Sequence, residues 1–325
     1  MKKMVLIELA VLVVLLIVAA VINGLPDKTD EPAVDAGVVD TVPVDTTPEP
    51  TEPEPTWATF PEDRAITAKQ YFVYDCQSNT FTTISGQATD KIYPASITKL
   101  FTAYVAMQYL QPDTQLTAAG ALDLVGPNSS VAEIEKGNVL TTAMLVKGLL
   151  LPSGNDAAYI LAEEVGKIIK NDRTLTTRAA VAVFVEEMNK QAQALGMTGT
   201  HFTNPDGYHN DDHYTNYNDL VTLSKLSLAD DTIMAGAKIS SELMTFVSGE
   251  QKLWKNTNEL VNEQSRYYCP YAIGMKTGQT PRAGCCLLSA FDVKGKTYVI
   301  GVFNSPEEND RFEDTLQLLN KTLDK

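Results

Sequence analysis

Apolar residues recur along this chain with two different periods, and the switches between them mark out its elements. From Ile97 to Met107 they fall at near-helical spacing and stop before Pro112-Asp113, which predicts a largely buried helix. Met144–Pro152 is almost unbroken apolar sequence, and Asp156–Glu164 resumes the helical rhythm. Ser153-Gly154-Asn155 therefore reads as a short polar loop pinned between two buried helices. Alternation takes over in Tyr71–Cys76 and Phe81–Ile84, a first hairpin, and in Tyr271–Gly278 and Cys285–Phe291, a second hairpin with a long loop over Gln279–Gly284. Thr297–Phe303 reads as a further strand and Phe312–Leu319 as a last helix. Strands at both ends of the region with helices between them predict a mixed α/β (α+β) domain. Its antiparallel sheet is flanked by helices on both faces and carries a helical insert. No internal repeat is visible.

The first 60 residues are different material. Lys2 and Lys3 precede an apolar run that reaches Ile22, about 19 residues and long enough to cross a bilayer, with Glu8 near its cytoplasmic end. Residues 1–23 are expected to be an uncleaved anchor with a cytoplasmic N-terminus; cleavage after Ala20 is the alternative. Residues 24–60 are rich in Pro, Thr, Asp and Glu and are expected to form an extended, self-repelling tether. Residues 61–325 remain for one folded domain. The net charge is −15, about half of it in the tether, and this acidic balance excludes nucleic acid as a partner.

Three short strings stand out on these elements. Ser96-Ile97-Thr98-Lys99 opens the first helix, so Ser96 and Lys99 share a face one turn apart. A lysine in an apolar pocket has a lowered pKa and serves as base to a serine nucleophile, and free N–H groups at a helix start favour an oxyanion. In Ser153-Gly154-Asn155, Ser153 is suited to relay a proton and Asn155 to hold a substrate amide. Lys276-Thr277-Gly278 ends a strand whose backbone suits a peptide-like ligand, with Gly278 allowing close approach. Lys276 and Thr277 suit a terminal carboxylate, and the Gln279 N–H is the second oxyanion donor. Each string alone has an ordinary explanation: an N-cap beside a solvated lysine, a capped turn, and an edge strand guarded by its lysine.

Taken together and in this order, the strings resemble the serine-type D-Ala-D-Ala carboxypeptidases, the low-molecular-mass penicillin-binding proteins. Leu149–Ala158 is similar to that family's second-motif context. Phe184–Asn189, Leu195–Met197 and His201–Gly207 are similar to its signature between the second and third motifs. The resemblance runs from about residue 65 onward. It implies the penicillin-binding/β-lactamase-like transpeptidase fold, peptidoglycan pentapeptide stems as substrate, acylation of Ser96 by β-lactams, and no cofactor or metal. One departure is that His213-Tyr214-Thr215 runs into Asn216-Tyr217-Asn218, a loop expected to line the cleft. Membrane attachment is expected at the N-terminal segment and places the enzyme outside the cytoplasm.

Two rival readings remain. A class A-like β-lactamase usually has a Glu-x-x-Leu-Asn loop to activate water, whereas Glu186-Glu187-Met188-Asn189 is one residue short and reads as helix. A non-catalytic wall-binding or β-lactam-sensing module would not need Lys99. His201, His209 and His213 are expected to be structural. Cys285 and Cys286, neighbours on a strand, point to opposite faces, and free thiols are expected for all four cysteines.

Overall fold

The computed structural model describes residues 57–58, 61 and 64–323. Five strands form one antiparallel sheet: β1 (Gln70–Asp75), β2 (Thr80–Ile84), β7 (Ala272–Thr280), β8 (Gly284–Val293) and β9 (Lys296–Ser305), in the order β2-β1-β9-β8-β7. The inner strands are buried on both faces, so their apolar residues run almost continuously and do not alternate with polar ones. Two more hairpins, β3 (Gln115–Thr117) with β4 (Val139–Thr141) and β5 (Ser241–Thr245) with β6 (Gln251–Lys255), lie outside this sheet.

Against one face pack α1 (Thr98–Met107), α2 (Thr142–Leu150), α3 (Asn155–Lys170), α4 (Thr177–Ala194), α5 (Tyr217–Leu228) and α6 (Asp231–Ala237). Their core joins Phe72, Leu288, Val299 and Phe303 of the sheet to Leu100, Phe101, Leu149 and Phe184 of the helices. Against the other face lies α7 (Glu308–Leu323), with Phe312, Leu316 and Leu319 on Val73, Leu287, Ile300 and Val302. The expected helix-flanked antiparallel sheet is what the chain forms. α1 is the central helix: every residue from Thr98 to Ala106 except Tyr104 is buried.

Several details differ from the sequence reading. The β7–β8 loop is short, because the ladder continues to a Thr280–Gly284 pair and leaves only Pro281-Arg282-Ala283 outside the strands. The 213–218 loop does not line the cleft. Thr215 pairs with Ile92, Asn216 caps α5 by accepting the Asp219 N–H at 2.9 Å, and Tyr217 is fully buried against Phe72 and Phe303. Trp57 falls in the stretch assigned to the tether, yet its indole N–H donates to Asn320 Oδ1 at 2.7 Å and its ring meets Tyr271 edge-on at 5.0 Å. Arg64 extends this clasp to α7 through Asp314 at 2.7 Å, whose carboxylate also accepts from the Thr67 and Ala68 N–H groups. The four cysteines are free thiols; Cys269, Cys285 and Cys286 are buried. The expected N-terminal anchor and most of the tether lie outside the described residues, among which no helix is long and apolar enough to cross a membrane.

Candidate active site

Ser96 sits in a short 3-10 turn, Ala95–Ile97, that feeds directly into α1. Ala95 before it adopts φ +50, a left-handed backbone that costs an alanine free energy and is held in place by its surroundings. Lys99, one turn on, is completely buried. Its ammonium donates to Ser96 Oγ at 2.6 Å and to the Asp206 carbonyl at 2.8 Å. Burial pulls the Lys99 pKa down to about 8, and the Asp206 and Asp156 carboxylates hold it from falling further. About a tenth of Lys99 is then a free amine at pH 7, hydrogen-bonded to the serine whose proton it would take.

The loop that carries Asp206 is strapped to α1. Thr102 Oγ1 donates to the Pro205 carbonyl at 2.6 Å. The His213 ring bridges the two segments: its Nδ1 accepts the Thr203 N–H at 3.2 Å, which leaves Nε2 to donate to Thr98 Oγ1 at 2.8 Å. Burial holds this imidazole neutral, with its pKa down to about 3. His213 is thus structural, as expected. Gly207 adopts φ +83, and a Cβ there would run into the Ala95 carbonyl, so only glycine lets this loop press against the nucleophile turn.

Ser153 also adopts a left-handed backbone, φ +63, between α2 and α3, and it is 4% exposed. The next residue's amide donates to the Gly148 carbonyl at 2.8 Å. Asn155 opens α3: its N–H donates to the Ser130 carbonyl at 2.9 Å and its Nδ2 to Ser129 Oγ at 2.8 Å. Asp156 completes this brace by accepting the N–H groups of Ala132, Ala157 and Ile134 at 2.8, 2.9 and 3.0 Å. These bonds set Ser130 into the cleft beside Ser96 and Ser153. Sequence reasoning missed Ser130.

β7 forms the opposite wall as an edge strand of the sheet, with one side paired to β8. Gly278 is needed for packing against the protein itself: a Cβ would lie 2.8 Å from the Pro94 carbonyl oxygen and 3.0 Å from the Ser96 nitrogen. This corrects the expectation that its bareness serves a ligand. Thr277 and the exposed Gln279 line the cleft. Lys276 lies beneath it, fully buried, and donates to the Thr277 carbonyl at 3.1 Å and to the Thr257 and Thr277 hydroxyls at 3.4 Å. No carboxylate of the described residues forms an ion pair with it. Burial, together with the charges of Lys99 and Arg311, drives its pKa well below the ordinary lysine value.

Arg311, from the first turn of α7, is the second feature that sequence reasoning missed. It is 7% exposed, lines the cleft, and its Nε has no partner. Burial lowers its pKa, as expected for a cation kept from water without a paired carboxylate. Two buried cations on one side of Ser96 make that side an anion site. Around Ser96 the cleft divides in two. A cavity of about 560 Å³ includes Thr277, Arg311 and Ser153; a second of about 380 Å³ includes Asn155, Asp206 and Tyr208. Ser96, Ser130 and Gln279 border both.

The family model of D-alanyl-D-alanine carboxypeptidases matches residues 57–306. The chain belongs to that family. A Streptomyces D-alanyl-D-alanine carboxypeptidase is 32% identical over 76% of this chain and 84% of its own length. The Bacillus subtilis carboxypeptidase DacF is 27% identical over 71% of this chain and 56% of its own length. The crystal structure of the Streptomyces DD-transpeptidase is similar, with a TM-score of 0.72 at 30% identity over 81% of this chain and 99% of that one. A Listeria monocytogenes penicillin-binding protein solved with ampicillin bound has a TM-score of 0.64 at 25% identity over 78% of this chain and 97% of that one. Membership makes the chain a serine hydrolase with the penicillin-binding fold. Arg311 lies beyond the matched span.

All eight residues picked from the sequence come together in or directly beneath this cleft. The segment compared with the water-activating loop of class A β-lactamases does not. Glu186–Asn189 is inside α4, where Glu187 accepts from the Tyr109 hydroxyl at 2.7 Å and Asn189 brackets Phe202. No glutamate from that segment is available to activate a deacylating water. Among the described residues no His, Cys, Asp or Glu cluster is arranged for a metal ion.

Proposed function

We propose that this carboxypeptidase removes the terminal D-alanine of peptidoglycan pentapeptide stems through an acyl-enzyme on Ser96. The observation that carries the reading is the 2.6 Å bond from a fully buried Lys99 to Ser96 Oγ, beside an anion site with no acid of its own. The peptide lies along β7 with its carboxylate at Thr277 and Arg311, over the Lys276 charge, and Asn155 holds a stem amide. Lys99 as free amine takes the Ser96 proton while Ser96 Oγ attacks the penultimate carbonyl carbon. The Ser96 and Gln279 N–H groups receive the oxyanion, a contribution of about 3 kcal/mol per donor in such sites. The peptide C–N bond breaks as Lys99 and Ser153 deliver the proton to the departing D-alanine amine. Water then hydrolyses the ester. β-Lactams carry a carboxylate at the corresponding place and acylate the same oxygen.

The apolar segment within residues 1–23, preceded by two lysines, supports a tether to the cytoplasmic membrane with the catalytic domain outside, lifted by the acidic 24–60 stretch. In membrane fractionation the full chain then sediments with the membrane and a chain starting at residue 24 does not. Mass spectrometry after penicillin exposure, paired with D-alanine release from a pentapeptide, tests the chemistry. The expected result is one stable adduct on the Ser96 peptide and D-alanine release, both lost in Ser96→Ala. Release that persists in Ser96→Ala refutes the mechanism, and rapid penicillin turnover would make the enzyme a β-lactamase.

A further inference from the structure

Asp206 is buried more completely than its hydrogen bonds account for. It is 1% exposed; Oδ1 accepts the Tyr208 N–H at 3.2 Å, while Oδ2 is buried and has no partner. Asp156, the other buried carboxylate near Lys99, accepts three backbone N–H groups through its two oxygens. A turn needs only one acceptor, which an asparagine or serine supplies as well as an aspartate. A bare carboxylate oxygen away from water is costly unless a charge faces it.

That charge is the catalytic lysine. The Asp206 carbonyl receives Lys99 Nζ at 2.8 Å, and Gly207 presses the same loop onto the nucleophile turn, so the carboxylate cannot withdraw. The coupling runs both ways: Asp206 holds the Lys99 ammonium up against burial, and Lys99 holds the Asp206 carboxyl down against burial. We infer that Asp206 is a positioning residue for the catalytic base: its carbonyl fixes Lys99 Nζ beside Ser96, and its side-chain charge sets the pH at which Lys99 becomes a free amine. This rests on the Ser96–Lys99 acyl transfer proposed above.

The groups facing the pair are few. Lys99 meets Asp206 from the 203–208 loop, Asp156 from α3 and Lys276 from β7. Asp206 meets Lys99 and the Tyr159 phenol of α3, whose pKa is raised by burial first and by the Asp206 charge second. A substitution at 206 leaves Asp156 and Lys276 in place, so its effect on Lys99 isolates one charge.

Asp206→Asn keeps an acceptor for the Tyr208 N–H at nearly the same shape and removes the charge. Two readouts apply to the full chain: the pH dependence of the second-order rate of acylation by penicillin, and the 13Cε NMR titration of Lys99, assigned by its loss in Lys99→Arg. Removing the anion lowers the Lys99 pKa, so the acid limb and the NMR midpoint both move to lower pH, from near 8 by about one unit. An unmoved limb and midpoint, a shift to higher pH, or a rate loss equal at every pH overturns the inference and leaves Asp206 a turn residue. A wild-type chain that forms no penicillin adduct would overturn the serine assignment instead, and the NMR midpoint would still decide the role of Asp206. If Asp206→Asn does not fold, Asp206→Ser, which also keeps a turn acceptor, is read the same way.

Discussion

Replacing Arg311 by glutamine removes the cleft's guanidinium while leaving a side chain that still hydrogen-bonds. Arg311 is 7% exposed and its Nε lacks a partner, so its field on a bound carboxylate is little screened by water or salt. A charge-assisted hydrogen bond to an ionic group is worth about 1.5–3 kcal/mol, roughly 10- to 150-fold in kcat/KM. Lys276 stays beneath Thr277 and retains part of the attraction, so the loss belongs in the lower half of that range. The assay is D-alanine release from an acyl-D-Ala-D-Ala peptide, compared with release of D-alaninamide from the same peptide carrying a C-terminal amide. The variant should lose activity on the acid and almost none on the amide. Thermal stability should not fall, because an unpaired buried cation has been removed. Equal losses on both peptides, or a large drop in the melting midpoint with no discrimination, would mean that Arg311 supports the wall of the cleft and does not read the carboxylate.

Two other substitutions or measurements test the frame around the nucleophile. Gly207→Ala should destabilise the domain by about 2 kcal/mol or more in urea unfolding, since its Cβ meets the Ala95 carbonyl at a backbone angle alanine resists; a cost below 0.5 kcal/mol would show that the loop can move away. The His213 ring should show no titration between pH 5 and 8 by NMR, because burial holds its folded pKa near 3. The unfolded chain binds that proton near pH 6.5, so the residue's contribution to stability should fall as pH drops from about 6.5 towards 3. A titration midpoint near 6.5 would mean that the ring is solvated and does not bridge Thr98 to Thr203.

The three strings could be read from sequence because each sits on an element with a strong local signal: apolar helix, polar loop between apolar helices, alternating strand. Ser96 and Lys99 were the easiest, since a spacing of three on a helix brings side chains together without tertiary information. Arg311 lay in an amphipathic helix with no motif around it, and only the docking of α7 on the sheet carries it to the cleft. Ser130 likewise depends on the Asp156 brace. Asp206 was visible within the His201–Gly207 signature, but its unpartnered oxygen is a property of packing. The β7–β8 loop was read too long because Thr280 and Gly284 look like turn residues while the ladder still pairs them. Gly278 was assigned to ligand contact since sequence gives no sign that the Ser96 turn lies against it.

The order of the sheet, β2-β1-β9-β8-β7, has a consequence for how the site is assembled. β1 has no neighbour on its inner side until β9 exists, and α7, emerging last, must find both the sheet and the 57–68 segment. Made from its N-terminus, the chain carries its nucleophile, base and relay serine more than a hundred residues before its guanidinium. Contacts of this sequence separation form slowly. A nascent chain, or one clipped ahead of residue 308, therefore holds the parts that break a bond without Arg311 to recognise the carboxylate. The capacity to choose a substrate arrives with the final helix.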